Sequence, residues 1–169
     1  TGNIITLGND GSQPCDGGFI FSGLNIPQRA QILSAFLLLT QADQNNHFPN
    51  LMIKGFAEDD AAPFNADGSN RPSTRSKTSA QKEWTIGYEE NGIFVGEHWS
   101  AESVYESPEI KDIVQEIIDR DGWAENNKLG LVVENYYSWS GQYKLPWDYV
   151  KESGKYGAKL VIVWRMERT

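Results

Sequence analysis

The chain has 169 residues, of which 39% are hydrophobic and 22% charged, and its net charge at pH 7 is −8. This length and composition are those of one ordinary folded domain, so we treat residues 1–169 as a single module and exclude a disordered chain and a disulfide miniprotein. The acidity disfavours nucleic acid and anionic membranes as partners, because both require a basic surface. We find no apolar run long enough to span a membrane as a helix.

Short apolar runs separated by Gly, Pro, Asn and Asp predict strands joined by turns. In chain order the predicted strands cover residues 19–26, 31–40, 51–56, 129–133 and 159–164, with weaker ones at 84–88 and 92–99. The segment 57–81 is rich in Asp, Pro, Ser and Asn and is predicted to be a loop.

One amphipathic helix is predicted over residues 108–120. Its apolar positions follow the spacing of a helix that lies on a core: Ile110, Ile113, Val114, Ile117 and Ile118. Ser107 stands where an N-cap is expected, and Gly122 is placed for a left-handed exit. Many strands with one surface helix predict a mainly β protein, a β-sandwich that carries this helix on its surface.

Four segments resemble a bacterial extracellular module. The chain reads IPQRAQILSAFL at 26–37, IKGFAEDDAAPF at 53–64, VQEIIDRDGW at 114–123 and AKLVIVW at 158–164, all in the module's order. They are similar to the DNRLRE-type modules, which include carbohydrate-binding module family 96. The resemblance implies a jelly-roll-like antiparallel sandwich that is non-catalytic, tolerates calcium and belongs to a secreted or cell-surface protein.

The chain departs from these modules between residues 135 and 155, where they carry a short turn with an arginine. Here six aromatic residues fall within fourteen positions, which we call the aromatic loop (residues 136–149): Tyr136, Tyr137, Trp139, Tyr143, Trp147 and Tyr149. Flat rings interleaved with short polar side chains suit the CH-rich faces and hydroxyl rims of sugars. The alternatives are an interface with another protein and rings that pack on their own domain.

Two weaker sets of candidates are charged. Asp59, Asp60 and Asp67 lie near Asn-Asp-Gly turns and could supply oxygen ligands to calcium, although the same residues also serve turns without a metal. Arg75 belongs to a basic run that could pair with the carboxylates of uronic acids, or could form a solvated loop or a structural ion pair.

Catalytic signatures are missing from the sequence. His47 and His98 lie in no metal or triad motif, and no carboxylate pair stands in a recognisable glycosidase signature. We therefore expect a non-enzymatic module that binds polysaccharide or mediates adhesion through the aromatic loop, with structural calcium as a further expectation. The alternative is a subunit of an extracellular filament, sheath or adhesin stalk that assembles with other copies through the aromatic loop and an N-terminal strand at residues 3–7.

Overall fold

The computed structural model describes residues 4–166, which form twelve strands, one α-helix and two short 3-10 turns. The helix, α1, spans Lys111–Ile118, and the 3-10 turns are Pro72–Thr74 and Lys151–Gly154. The strands are β1 (Leu7–Asn9), β2 (Pro14–Cys15), β3 (Gly17–Phe21), β4 (Gln31–Thr40), β5 (Asn50–Phe56), β6 (Lys77–Thr85), β7 (Gly87–Glu90), β8 (Ile93–Gly96), β9 (Val104–Glu106), β10 (Leu129–Asn135), β11 (Gln142–Lys144) and β12 (Lys159–Arg165).

Two larger antiparallel sheets form the sandwich. One has the order β3-β10-β5-β6 and the other the order β12-β4-β9. Alternate residues of the central strands point inward: Leu37 and Leu39 of β4 share one buried cluster with Leu131 and Val133 of β10. The prediction of a mainly β antiparallel sandwich with one helix is confirmed.

Two smaller sheets complete the fold, a hairpin of β7 with β8 and a three-stranded sheet of order β11-β1-β2. The second sheet brings the N-terminal segment to the aromatic loop, because Leu7 pairs with Lys144 and Ile4 bridges to Trp147. The prediction of a strand at residues 3–7 is wrong in its bounds: Asn3 lies outside the described residues, Ile4 forms only an isolated bridge, and the strand begins at Leu7. Strand β1 is paired on both sides, so it has no free edge for a strand from a neighbouring copy.

Helix α1 closes the gap between the two large sheets, with Ile113, Val114, Ile117 and Ile118 buried. The helix can approach β5 closely because residue 55 is a glycine: a Cβ there would lie 2.6 Å from Ile117 Cδ1. The four aliphatic side chains match the predicted stripe. The helix is shorter than the predicted range 108–120.

Side chains of the helix segment also cover two stretches of strand that lack a neighbour: the first part of β4, since β9 pairs with it only from Leu38 to Thr40, and the outer edge of β6. Glu109 Oε1 accepts a hydrogen bond from Ala35 N of β4 at 2.7 Å, and Gln115 Oε1 accepts one from Ile32 N at 2.8 Å. On the opposite sheet, the Glu116 carboxylate accepts from the backbone N–H groups of Ser79 and Ala80 of β6, both at 2.7 Å. The helix therefore replaces the missing neighbouring strand at both edges, and its polar side is only partly a solvated face.

Two predicted helix termini are wrong. Ser107 does not cap the helix, because its Oγ accepts a hydrogen bond from Leu37 N of β4 at 2.9 Å and the N-cap position is Ile110. Gly122 is not among the residues with positive φ, so it provides no left-handed exit. An unpaired N–H group of a neighbouring strand competes with the helix N-terminus for a serine hydroxyl. The sequence alone does not show that such a strand lies beside Ser107.

The edge contacts predict that Glu116→Ala destabilises the fold by about 2–3 kcal/mol, because two strand N–H groups lose a charged acceptor. Glu116→Gln should lose less, since its single amide oxygen can still accept from one of them. Urea denaturation measures both. The matched control is Asp112→Ala, an exposed position on the same helix, and equal stability of the two alanine variants would show that the edge contacts contribute nothing.

Among residues 4–166, no helix is long and apolar enough to cross a membrane.

Candidate functional site

The aromatic loop is an ordered excursion between β10 and β12. Strand β11 lies within it and pairs with β1, and Trp147 N donates a hydrogen bond to Thr40 O at 2.9 Å. These anchors fix the loop at its middle and at its end. As a result, the six predicted rings do not form one platform but separate into three pairs.

The first pair, Tyr137 and Trp139, forms the outer wall of a groove of about 410 Å³. We call it the Trp139 groove. These two side chains are the most exposed large hydrophobic residues of the described chain, at 82% and 85%. The lining combines four rings with four uncharged polar residues: Phe48, Phe94, Tyr137, Trp139, Asn50, Thr85, Ser138 and Gln142.

Hydrogen bonds to the backbone of neighbouring segments hold this groove in shape. Ser138 Oγ accepts from Asn50 N at 3.0 Å and donates to Asn50 O at 2.9 Å. Gln142 Oε1 accepts from Phe48 N at 2.7 Å. The aromatic wall is therefore fixed to the start of β5 and does not depend on packing of the exposed rings themselves.

Tyr137 adopts a left-handed backbone conformation with φ of 55°. Such a conformation costs a non-glycine residue roughly 1–2 kcal/mol. The adjacent Ser138 contacts maintain it, and the side chain that results is held out in solvent. Backbone strain that serves to display an apolar ring is typical of a binding residue.

The second pair, Trp147 and Tyr149, lines a groove of about 390 Å³ on another part of the surface. Its other walls are mostly apolar and come from β3 and the loop after β5, including Phe19, Phe21 and Phe64. Trp147 Nε1 is buried and has no hydrogen-bond partner in the described structure. This second groove is less polar than the first.

The third pair is internal to the loop. Tyr143 stacks on His47 with ring centroids 4.6 Å apart, and Tyr136 packs against Tyr137 at 4.6 Å. Both Tyr136 and Tyr143 are half-buried. Tyr136 therefore supports the exposed ring of Tyr137, and Tyr143 packs the loop against His47, although sequence reasoning placed all six rings in one ligand-binding set.

Arg75 lies in the interior of the structure and is only 8% exposed. Its guanidinium pairs with the Glu58 carboxylate and lies over the ring of Phe56, 4.0 Å from the centroid, and over that of Phe64, at 5.2 Å. Arg75 is not among the residues that line either groove. In this arrangement it fastens the loop after β5 and presents no charge to solvent.

The Arg75 hydrogen bond lowers the pKa of Glu58 below its ordinary value. The folded state therefore binds fewer protons at this carboxyl than the unfolded state, so stability should fall as pH drops through the unfolded and then the folded pKa. We expect Glu58→Gln to be less stable at neutral pH and to lose less stability on acidification than the wild type. Urea midpoints at neutral and acidic pH measure the difference, and parallel curves would contradict this role for the ion pair.

The three carboxylates predicted as calcium ligands each have another partner. Asp59 pairs with Arg120 at 2.6 Å, Asp60 accepts from Lys128 N at 2.8 Å, and Asp67 closes a turn by accepting from Ser69 N at 2.8 Å. Within the described range 4–166, no cluster of three or more His, Cys, Asp or Glu side chains could hold a metal ion. The structure thus does not bring these residues together, and calcium stays a prediction.

Two features of the site were missed by sequence reasoning. Phe48 and Phe94 contribute rings to the Trp139 groove from separate segments, and only a contact between β8 and the loop before β5 brings them together. Lys144 stands within the aromatic loop but is completely buried. No local pattern marks a lysine as buried, because its environment is assembled from distant parts of the chain.

Neither a family model nor a curated protein matches the chain. The resemblance to the DNRLRE-type modules accordingly stays a prediction.

Proposed function

We propose that this protein is a non-catalytic module that binds polysaccharide in the Trp139 groove. The observation that carries the proposal is the pair of exposed rings, Tyr137 and Trp139, held rigidly above a strip of uncharged polar side chains. Exposure of large rings costs solvation free energy, and a soluble domain tolerates it mainly at binding surfaces. Stacking on the apolar face of a sugar ring would cover both side chains.

The polar residues of the groove support sugar as the ligand class. Part of their hydrogen-bonding capacity is used within the protein, by the backbone at Ser138 and Gln142 and by Thr85 and Glu83 at Asn50. The Gln142 amide NH₂ group can still donate to a sugar hydroxyl, and the Thr85 hydroxyl oxygen can still accept from one. None of the eight lining residues carries a charge. The groove consequently favours a neutral polysaccharide. It does not favour the uronic-acid polymer that Arg75 was predicted to bind.

A glycosidase site has two carboxyl groups that flank the scissile bond. The carboxylate beside this groove, that of Glu83, lies outside the lining and accepts a hydrogen bond from Asn50 Nδ2 at 2.8 Å. Together with the resemblance to extracellular modules, this supports a binding role in a secreted or cell-surface protein. No metal ion is required for stacking and hydroxyl contacts of this kind.

Affinity electrophoresis tests the proposal. The wild-type protein should be retarded in gels that contain a suitable neutral polysaccharide, across a panel of glucans, mannans, xylans and galactans. Uronic-acid polymers should retard it less. Unchanged mobility across the whole panel would overturn the proposal.

A second candidate, assembly with other copies, is favoured by the outer face of the β12-β4-β9 sheet. Val161 and Val163 of β12 and Val104 of β9 are exposed there. The outer face of the other sheet carries the ion pair of Lys54 with Glu134 instead. Sedimentation over a range of protein concentrations distinguishes the candidates, because a filament subunit assembles and a binding module stays monomeric.

A further inference from the structure

Lys144 is a completely buried amine, and within residues 4–166 it donates to an amide and a backbone carbonyl and to no carboxylate. Its Nζ donates to Asn45 Oδ1 at 3.1 Å and to the backbone oxygen of Glu97 at 3.3 Å. The rings of Phe48 and Trp99 lie 5.6 Å and 5.3 Å from the same nitrogen. A lysine is rarely buried in this way, because desolvation of the ammonium group is costly.

The surroundings favour the neutral, nucleophilic form of this amine. Burial lowers the pKa of Lys144 to about 8, and the charge of Glu97 opposes this effect only in part. Near neutral pH a sizeable minority of the side chain therefore carries a free electron pair on Nζ, in contrast to an exposed lysine.

The partner amide is oriented and polarised. Asn45 Nδ2 donates to Tyr143 O at 3.1 Å, which fixes the plane of the amide. Asn45 Oδ1 accepts from Lys144 Nζ and also lies 3.4 Å from His47 N. His47 N is the donor that remains directed at this oxygen when Lys144 turns from donor to nucleophile, and such a donor stabilises the negative charge that develops there when the carbon is attacked.

We propose that Lys144 and Asn45 join in an intramolecular amide bond. The lysine first loses a proton to solvent, and its Nζ then attacks Asn45 Cγ. A Cγ–Nζ bond forms and the Cγ–Nδ2 bond breaks. The attacking nitrogen gives up one further proton to the departing nitrogen, which leaves as ammonia, so that no oxidant, reductant or external group is consumed. The contact between the two side chains, 3.1 Å from Lys144 Nζ to Asn45 Oδ1, provides the proximity that such a reaction requires.

The consequence would be a covalent clip between residues that are 99 positions apart, from the segment after β4 to strand β11. This clip would fasten the middle of the aromatic loop to the sandwich. This proposal does not depend on polysaccharide binding, because the bond would form in the interior and the Trp139 groove lies on the surface.

Mass spectrometry of the full-length folded protein tests this proposal. After incubation above the Lys144 pKa of about 8, the denatured protein should weigh one ammonia less than its sequence requires. A proteolytic digest should yield a branched peptide that joins the segments containing Asn45 and Lys144. Asn45→Ala should restore the full mass, whereas the neighbouring Asn46→Ala should still lose ammonia.

Two outcomes would overturn the proposal. One is a wild-type protein with the full mass after this incubation. The other is an ammonia loss that maps to a succinimide at Asn91-Gly92, the one Asn-Gly pair in the chain. Both readouts use the wild-type protein, so they hold even if the Asn45 variant does not fold.

Discussion

Replacement of Trp139 by alanine is expected to abolish retention of the protein on its polysaccharide while leaving its stability unchanged. The side chain is 85% exposed, so its removal takes little from the core. In a complex, however, it would be the largest ring in contact with the sugar. Loss of such an anchor costs a binding interaction about 2 kcal/mol or more, which is roughly a 30-fold weaker affinity.

Tyr149→Ala is the matched control, since Tyr149 is similarly exposed and belongs to the same loop but lines the other groove. Affinity electrophoresis and urea denaturation of both variants separate binding from folding. Retention of the Trp139 variant at the wild-type level would contradict the assignment of the groove. Loss of retention only in the Tyr149 variant would transfer the function to the second groove.

Replacement of Arg75 by methionine is expected to destabilise the fold by about 3 kcal/mol without altering polysaccharide binding. The change removes the ion pair with Glu58 and leaves that partly buried carboxylate without its partner. It also removes the cation from the rings of Phe56 and Phe64. Breaking a buried pair from one side typically costs about 3–5 kcal/mol, and the partial exposure of Glu58 places this case at the lower end.

Arg71→Met is the control for this substitution. Arg71 belongs to the same basic run but is exposed and donates only to Gly68 O within the described structure. It should therefore change stability by less than about 0.5 kcal/mol. A stable Arg75 variant with weakened affinity for uronic-acid polymers would contradict the structural role and support the ligand role that the basic run suggested.

The sandwich could be predicted from sequence because its main elements are encoded locally. The apolar run at residues 31–40 coincides with β4, and the helical stripe from Ile110 to Ile118 identifies the buried face of α1. Glu116 shows where this reasoning stops. It lies outside the apolar stripe, on the side that a surface helix turns to solvent, but the strand N–H groups that it accepts from lie 36 and 37 positions away. Contacts of that kind depend on tertiary packing alone.

The sequence marked the aromatic loop as a distinctive segment, but its six rings were grouped only because they lie close together in the chain. Pairing of β11 with β1 turns Trp139 and Trp147 toward different grooves, and the sequence between them gives no sign of that pairing. Arg75 was similarly predicted to bind a ligand because it lies in a basic run of the chain. Its position is decided by Phe56 and Phe64, whose rings attract the guanidinium into the interior.

The most direct test of the proposed binding site is a titration of the isotope-labelled protein with an oligosaccharide of the retained polymer, followed through the six tryptophan indole N–H resonances. Trp139 lies in the proposed groove, whereas Trp147 lies in the other one. Of the remaining four, Trp84, Trp99 and Trp123 are buried and Trp164 packs against the core. We predict a saturable shift of the Trp139 indole resonance with little change at Trp147. A shift at Trp147 with Trp139 unaffected, or no shift at either, would contradict the account.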